Sequence, residues 1–360
     1  MIPFTLPVTP MLARRVPEIP AGMAYEPKWD GFRCVAAVVD GRAQLWSRNG
    51  RDLSAYFPEL LPALVTTLPT DTVLDGEIVV VVGNRLDFVK LTERIHPAAR
   101  RIAALAERMP ASLVFWDVLA ARGTDLRGEP FADRRRQLEA LLDGAPAPLF
   151  LSPLTTDLRL AREWFTGFEG AGLDGVVAKP MAATYQPGVR AMLKIKHDRE
   201  ADVVVGAYVL QADTNAAGPI LGALQLGLYD AAGVLHWVGV AANFSDDMRT
   251  ATAEMLAELA VAPGSPTWQQ HPWSKDQVPD GPRVPGTVNR WNATPTKQVV
   301  LLDPMLVCQV GYEHMEGTRF RHTTQFQRWR PDKVPEECTF AQLEEVPTFD
   351  LAAILSGGRA

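Results

Sequence analysis

The sequence has few of the residues and patterns that mark several large protein classes. Its 360 residues contain three cysteines, Cys34, Cys308 and Cys338, which stand far apart without a CxxC spacing. This favours a reduced, intracellular protein and argues against a structural zinc site. The histidines form no HxxxH pair, no apolar run is long enough to cross a membrane, and the N-terminus lacks the segments of a signal peptide. We therefore expect a cytoplasmic protein with no membrane contact.

The sequence also lacks an excess of positive charge, since 42 acidic residues outnumber 36 basic ones, the net charge is −6 and the pI is about 5.6. Proteins that bind nucleic acid are often basic, so this balance counts mildly against such a partner. The distribution of charge matters more than its sum. Residues 319–333 combine basic side chains with Phe320, Phe326 and Trp329, and residues 194–199 are basic as well. These two segments are the candidates for phosphate contacts.

Hydrophobic residues make up 47% of the chain, which is enough for real cores, and the length predicts two domains. In the first 200 residues, 32–48 predict a hairpin with a turn at Asp40–Gly41, and 73–82 predict a strand that turns at 83–84 and pairs with 85–90. Further strands are predicted at 113–120, 174–180 and 192–196, with helices at 131–142 and 158–168. This is an α+β pattern of mostly antiparallel strands.

After residue 200 the pattern changes. Strands are predicted at 202–210, 220–230 and 234–241, followed by a helix at 246–260 and further strands, which favours an OB-type barrel. We place the boundary near residues 197–201, giving domains 1–198 and 199–360. Residues 262–296 are rich in proline and contain Trp268, Trp273 and Trp291. We interpret them as an ordered loop held by packing rather than a base-stacking platform.

The segment EPKWDGFRC, residues 26–34, places Lys28 between Trp29 and Phe32. A lysine is a nucleophile only as the free amine, which desolvation or a nearby cation can favour. A solvated lysine at a strand end is an equally good explanation of KxDG alone, because four residues recur easily by chance.

Other segments favour a site. Glu77 lies inside an apolar strand, where a carboxylate is rare unless it is paired or bound to metal, and Asp75 shares its face. Asp174 precedes a run of small and apolar residues. Lys194 and Lys196 point the same way from one strand. Two parallel ammonium groups repel each other unless a polyanion binds between them, and a phosphate chain is the expected ligand. Each feature alone could be a salt bridge or an edge lysine, but their combination points to a polyanion site.

Three conspicuous features have simpler interpretations. The arginine run at 134–136 is expected to be a solvated helix face. His96 is expected to be a loop residue, and Cys34 a core residue.

Together the segments resemble the motifs of the covalent nucleotidyltransferases, the superfamily of DNA ligases, RNA ligases and mRNA capping enzymes. The matching segments are KWDG (28–31), SRNG (47–50), LDGE (74–77), FWD (115–117), DGVVAK (174–179), KIK (194–196) and RWRPDK (328–333). The chain is most similar to the small ATP-dependent DNA ligases of bacteria, namely DNA ligase C of actinobacteria and the ligase domain of ligase D. It departs from them at Asp174, where most relatives have Glu, and this shorter side chain predicts a water-mediated contact with metal.

The resemblance implies a nucleotidyltransferase domain, with ATP-grasp-like antiparallel sheets and helices, followed by a C-terminal OB-fold domain. It implies an ATP-dependent DNA ligase that seals nicked duplex DNA and uses Mg²⁺ or Mn²⁺. It further implies a monomer at the bacterial nucleoid that acts in DNA repair, with links to recombination and replication, alongside other repair proteins. A hinge at residues 197–201 would let the OB domain close for the first step and open for DNA.

The resemblance also implies the roles of individual residues. Lys28 attacks the α-phosphate of ATP, Glu77 and Asp174 hold the metal, and Phe115 and Val177 sandwich adenine. The implied catalytic residues are Lys28, Asp30, Arg33, Arg48, Lys194, Lys196, Arg330, Asp332 and Lys333. The implied nucleotide contacts are Glu26, Lys28, Arg33, Arg48, Glu77, Phe115, Val177, Lys194 and Lys196.

Two alternatives stay open at this point. One keeps the chemistry but changes the substrate, as in an RNA ligase or a capping guanylyltransferase. The other is an OB-fold nucleic-acid binding protein whose nucleotidyltransferase half is idle. The lack of zinc-binding cysteines argues against an NAD-dependent ligase.

Overall fold

The structure is a computed structural model that describes residues 1–197, 199–211, 219–274, 284–285, 299–313 and 315–343, with Leu351 and Ile354. Its chain divides into two compact units: unit 1 comprises Met1–Lys196 and Val346–Ala360, and unit 2 comprises His197–Glu345. We expected residues 199–360 to form the second domain, whereas Val346–Ala360 group with unit 1. Asp198, in the predicted hinge, lies outside the described residues. Across the described ranges, no helix has the length and apolar character that spanning a membrane requires.

Unit 1 consists of mostly antiparallel sheets with flanking helices. Its strands are Ala13–Arg15 (β1), Ala24–Pro27 (β2), Phe32–Val39 (β3), Arg42–Ser47 (β4), Thr72–Val82 (β5), Arg85–Leu86 (β6), Ala111–Ala121 (β7), Thr124–Asp125 (β8), Leu149–Leu151 (β9), Val176–Lys179 (β10) and Met192–Ile195 (β11). The pairs β1–β11 and β7–β9 are parallel. Its α-helices are Leu60–Thr67 (α1), Phe88–Thr92 (α2), Ala99–Arg108 (α3), Phe131–Leu142 (α4) and Leu158–Gly167 (α5), with 3-10 turns at Ser54–Tyr56 and Phe168–Ala171.

The larger sheet of unit 1 has the order β4-β3-β5-β7-β8. The predicted hairpin of β3 and β4 is confirmed, and its turn residues Asp40 and Gly41 both have positive φ, as a type I′ turn requires. One face of this sheet packs against α1 and α4 around Leu60, Leu74 and Leu138. The other face carries the polar residues described below.

A smaller sheet has the order β1-β11-β10-β2. Its strands are short, and alternate residues such as Tyr25, Val176 and Ile195 enter a core shared with Trp29 and Trp164. The residues between them, including Glu26, Val177 and Lys194, lie on the opposite face. This alternation sets which side chains can reach the site.

The segment after the turn at 83–84 differs from the prediction. A strand was expected over 85–90, but β6 ends at Leu86 and a helix begins at Phe88. Asp87 explains the break, because its carboxylate accepts a hydrogen bond from Lys90 N at 2.9 Å and caps α2. His96 is in a loop and Cys34 is fully buried, as predicted.

Unit 2 is built on an antiparallel sheet with the order β14-β13-β12-β15-β18. Its strands are Arg199–Leu210 (β12), Leu221–Tyr229 (β13), Leu235–Ala241 (β14), Val299–Tyr312 (β15), Met315–Glu316 (β16), Arg319–Phe320 (β17) and Gln325–Trp329 (β18). Its α-helices are Asp246–Ala257 (α6) and Pro266–Gln270 (α7), with 3-10 turns at Pro335–Glu337 and Phe340–Gln342.

A parallel bridge between Ala241 and Thr324 joins the end of β14 to the start of β18, so the sheet curls towards closure. In the chain, α6 lies between β14 and β15. This arrangement is the partly open barrel of an OB-fold. Trp273 is buried in its core and donates to Leu235 O at 3.0 Å, which supports the packing interpretation of the proline-rich loop. Trp291 lies outside the described residues.

The last described residues return to unit 1. Leu351 is fully buried and Ile354 is nearly so, and both belong to the core that contains Trp164 and Phe168. Leu351 N also donates to Asn84 O at 3.1 Å, in the turn between β5 and β6.

Candidate active site

Lys28 follows β2 and is held by a reciprocal pair of backbone hydrogen bonds. Lys28 N donates to Gly175 O and Asp174 N donates to Lys28 O, both at 2.9 Å. Gly175 has φ +112°, and a Cβ there would lie 2.0 Å from Ile195 O, so only glycine lets this segment approach β11 so closely. The backbone pair with Lys28 and the approach to β11 bring the side chains of Lys28, Asp174 and Lys196 together.

Asp174 is the centre of a three-residue charge cluster. Its Oδ2 lies 2.6 Å from Lys28 Nζ and 2.9 Å from Lys196 Nζ. Burial disfavours the charged carboxylate, but the charges of Lys28 and Lys196 outweigh burial and lower the pKa of Asp174 to about 2. The carboxylate therefore stays ionised and fixes both ammonium groups. The sequence predicted each of these residues for the site but not that Asp174 would bridge the two lysines.

Glu77 has the opposite electrostatic character. It lies on β5 opposite Arg33 of β3. Burial raises the pKa of its carboxyl to about 7, although Arg33, Lys28 and the Gly31 N–H favour the ionised form. Gly31 has to be glycine, because a Cβ would lie 2.1 Å from Ile78 O. A carboxylate that is costly to ionise is a good ligand for an added cation.

Replacing Glu77 by Gln should change how stability depends on pH. The folded-state pKa of about 7 lies above the ordinary value of 4.5. The stabilising effect of the protonated carboxyl is therefore complete below pH 4.5 and is lost as pH rises through about 7. In urea unfolding without metal, Glu77→Gln should gain about 2 kcal/mol relative to the wild type between about pH 5 and about pH 8.

The control is Glu107→Gln, which changes an exposed glutamate on α3. A stability difference between Glu77→Gln and the wild type that stays constant with pH would contradict the raised pKa.

Arg33 is fixed by two residues that the site prediction did not include. Its Nε and Nη2 donate to the two oxygens of Asp75, both at 2.6 Å, and Asp75 is fully buried. Tyr185 OH donates to Asp75 Oδ2 at 2.6 Å and accepts from Met11 N at 3.0 Å. Asp75 could be anticipated because it shares a strand face with Glu77, but no local signal marks Tyr185.

The predicted role of Phe115 does not fit the structure. Phe115 is fully buried on the face of β7 that packs against α1 and α4, opposite to the face that carries Glu77. The register between β5 and β7 shifts between Asp75 and Gly76, which makes Trp116 an extra, bulged residue. The Trp116 ring lies 4.6 Å from Arg33 Cζ, so Trp116 is the aromatic residue that borders the site.

Glu26 is buried in a second charged cluster. Its Oε1 accepts from Arg135 Nη1 at 3.1 Å, and its Oε2 contacts Lys179 Nζ. Burial raises the pKa of Glu26 against the charges of Lys179 and Arg135, and burial also lowers the pKa of Lys179. The Lys179 ammonium lies 4.7 Å from the centre of the Phe131 ring.

The arginine run at 134–136 is not a solvated helix face, so that prediction is wrong for two of its three residues. Arg134 is fully buried in a bidentate pair with Asp117, at 2.8 and 2.9 Å. Arg135 is 5% exposed, whereas 75% of the Arg136 side chain is accessible. The side chains of adjacent helical residues point in directions about 100° apart, so one face of α4 is buried and the other is exposed to solvent.

The other residues predicted for unit 1 differ in their position and exposure. Lys194 lies opposite Val177 in the β10–β11 pair, so the two side chains share the face of Glu26. Asp30 is partly buried in the loop before β3, and Arg48 is exposed in the turn after β4.

The predicted residues of unit 2 form a cluster of their own. Arg330 Nη1 donates to both oxygens of Asp202, at 2.8 and 2.9 Å, and its Nη2 donates to Asp332 at 2.8 Å. The hydrogen bond from Arg330 lowers the pKa of Asp332 to about 2. Lys333 Nζ lies 3.2 Å from Glu337. Arg330, Asp332 and Lys333 follow β18, and their ion-pair partners all belong to unit 2.

The unit 1 carboxylates fit a magnesium-like ion. Within the part of the chain that the structure describes, no group of three or more His, Cys, Asp or Glu could hold a metal on its own. Mg²⁺, however, is commonly bound by one or two carboxylates, with waters and substrate phosphates supplying the rest. Glu77 and Asp174 suit such a shared site.

Comparison with known proteins identifies the family. Residues 10–196 match the family model described as "ATP dependent DNA ligase domain", and residues 217–333 match "ATP dependent DNA ligase C terminal region". DNA ligase C2 of Mycolicibacterium smegmatis is 46% identical, over 96% of this chain and 97% of its own length. DNA ligase C of Mycobacterium tuberculosis is 44% identical, over 99% of both chains.

A solved structure from a study of Lig E DNA ligases has a TM-score of 0.53 at 17% identity, covering 89% of this chain and 99% of that one. At this identity the likeness concerns the fold alone.

Proposed function

The chain belongs to the ATP-dependent DNA ligase family, and on that premise we propose that it seals nicks in duplex DNA through an adenylate carried on Lys28. The observation that carries the proposal is the cluster in which Asp174 holds Lys28 Nζ at 2.6 Å and Lys196 Nζ at 2.9 Å. A nucleophilic amine and a second cation on one fixed carboxylate suit attack on a phosphate.

In the first step, the Lys28 ammonium releases a proton to solvent, and its free amine attacks the α-phosphate of ATP. The N–P bond forms as the bond from the α-phosphorus to the bridging oxygen breaks, pyrophosphate leaves with that electron pair, and the nitrogen releases a second proton to solvent. Lys194 and Lys196 bind the oxygens of the α-phosphate and neutralise the charge that develops there. The AMP then passes to the 5′-phosphate at the nick, and the 3′-hydroxyl finally displaces it, forming the phosphodiester bond.

Glu77 and Asp174 would hold a divalent ion, Mg²⁺ or Mn²⁺, which supplies charge neutralisation at the phosphates. Because Asp174 already binds two lysines, we propose that Glu77 supplies the direct contact and Asp174 a water-mediated one. Val177 and Trp116 would enclose the base, with Glu26 at its edge. Asp30, Arg33 and Arg48 would contact the ribose and the nick phosphate.

The same proposal places the protein in bacterial DNA repair, as a cytoplasmic monomer at the nucleoid.

The first test incubates the protein with labelled ATP, GTP or NAD and separates it on a denaturing gel. Sealing of nicked DNA and of nicked RNA is then measured. Label from ATP alone, with DNA sealed, is the expected outcome. Label from GTP would favour a capping enzyme, and no label would favour an idle binding protein.

Arg330, Asp332 and Lys333 would orient the departing pyrophosphate, which requires unit 2 to turn about a hinge during the first step. Asp332→Ala frees Arg330 from one of its carboxylate partners. We expect lysyl-AMP formation to fall about 100-fold, because a misplaced positioning group costs about this much. Sealing of a nick that already carries AMP should change little.

The two rates are measured in single-turnover assays. Asp247→Ala, which changes an exposed acid at the start of α6, is the control. Equal losses in both assays would rule out a role confined to the first step.

A further inference from the structure

We propose that Arg135 is a positioning residue that makes the site selective for adenine, by holding the carboxyl group of Glu26 in place. This inference rests on the proposed function. It gives a role to an arginine that the sequence pattern had suggested was solvated.

The contacts of Arg135 lead to the base-binding end of the site. Its Nη1 donates to Glu26 Oε1 at 3.1 Å, its Nη2 to Ser152 O at 2.7 Å, and its Nε to Glu139 Oε1 at 2.7 Å. Three anchors in different directions fix the planar guanidinium, since its donors form a rigid fork. The single oxygen that Arg135 binds on Glu26 is therefore fixed as well.

Glu26 is placed to meet a base. It lies on β2 two residues before Lys28, and Val177 is its partner in the β2–β10 pair. Directly opposed residues of an antiparallel pair project to the same face. Glu26 thus shares the face of the side chain proposed to cover the base, and it is 2% exposed.

The charge of Glu26 decides which base it accepts. An ionised carboxylate only accepts hydrogen bonds, so it pairs with the 6-amino group of adenine and repels the 6-oxo group of guanine or hypoxanthine. A protonated carboxyl can donate to that 6-oxo group, and the discrimination is lost. Burial and, to a smaller extent, the charge of Asp117 push Glu26 towards the protonated form, whereas the charges of Lys179 and Arg135 oppose it. Removing Arg135 should therefore weaken selectivity.

The test replaces Arg135 by Met, which keeps much of the side-chain volume but removes the charge and the donors. The rate of lysyl-AMP formation, as kcat/KM, is measured with ATP and with ITP, which differs from ATP at the 6-position. We expect the ATP-to-ITP ratio to fall about tenfold or more, because the hydrogen bond that distinguishes the 6-amino group from the 6-oxo group is no longer enforced. Sealing of a pre-adenylated nick needs no free nucleotide and should stay within about twofold.

Arg136→Met is the matched control. Arg136 neighbours Arg135 on α4 but is exposed, with Asp133 as its partner. Its ATP-to-ITP ratio should equal that of the wild type.

A pH series separates this role from simple support of the fold. In Arg135→Met the ATP-to-ITP ratio should recover as pH rises, because Glu26 ionises again. The same recovery in the wild type should come at lower pH, since the charge of Arg135 opposes the rise that burial causes in the pKa of Glu26. A loosened fold gives no reason for such a recovery.

A double variant tests the route through Glu26. Once Glu26→Gln has removed the ionisable group, adding Arg135→Met should leave the ratio unchanged. If Arg135→Met does not fold, Arg135→Gln takes its place, because it removes the charge but keeps an amide that can donate a hydrogen bond. A ratio that stays at the wild-type value in the folded variant overturns the inference.

The two proposals fail differently. A wild-type protein that forms no adenylate on Lys28 would refute the proposed function. A wild-type protein that forms it, together with an Arg135 variant of unchanged selectivity and pH dependence, would refute this inference alone.

Discussion

Lys28→Ala should form no detectable protein-bound AMP. Loss of a covalent nucleophile leaves no route to the lysyl adenylate, and the rate of the first step should fall by about 10⁴-fold or more. Asp174 and Lys196 remain in the variant, but neither can replace the amine held 2.6 Å from the carboxylate. Intact-mass measurement after incubation with ATP and metal gives a direct readout, with one added AMP expected for the wild type alone.

The same variant should still join a nick that already carries a 5′-adenylate. That step needs the metal and the phosphate-binding groups but no nucleophilic lysine. Lys90→Ala, which changes a lysine whose side chain is 42% exposed on α2, is the control and should behave as the wild type in both assays. Adenylate on the Lys28 variant would show that another residue is the acceptor.

Arg134→Ala should have the largest effect on stability. Arg134 and Asp117 are both almost fully buried and paired by two hydrogen bonds, and Arg134 Nη1 also donates to Glu129 O and Ala183 O. Removing one partner leaves an uncompensated buried charge, which costs about 3–5 kcal/mol. Chemical denaturation of unit 1 should show this loss, whereas Arg136→Ala on the same helix should change stability by less than about 0.5 kcal/mol.

Replacing both partners tests the cause of the loss. Arg134→Met with Asp117→Leu should recover much of the stability, since a buried ion pair is often no better than well-packed apolar residues. If Arg134→Ala and Arg136→Ala have the same free energy of unfolding, the buried pair contributes nothing to stability. The burial of Arg134 then has another explanation.

Much of the fold could be predicted from local chemistry. The Asp-Gly turn fixes the β3–β4 hairpin, and helical periodicity gives the bounds of α4. The central cluster was also predictable as a set, because an acid in an apolar strand and a pair of alternating lysines leave few explanations other than a bound polyanion. Its detailed geometry, with Asp174 between Lys28 and Lys196, depends on long-range contacts that no single segment encodes.

The remaining errors have physical causes. The prediction for Phe115 rested on motif order, but a bulge in β7 brings Trp116 to the site in its place. The arginines of α4 look alike in sequence, and only the positions of Asp117 and Glu26 on other strands decide that two of them are buried. Asp87 was predicted to be a strand residue, but aspartate is a favoured helix cap, and in the structure it caps the N-terminus of α2.

The return of Leu351 and Ile354 to the core of unit 1 makes unit 2 an inserted domain. A fragment ending at Lys196 would therefore lack two side chains of its own hydrophobic core and would carry a cavity. Full burial of one aliphatic side chain is worth about 1.5–3 kcal/mol, so such a fragment would start with a deficit of several kcal/mol. Residues 1–196 joined by a short glycine-serine linker to residues 346–360 form the piece that is complete by this criterion. Lys28 and the C-terminal segment thus belong to one folding unit, despite the intervening barrel.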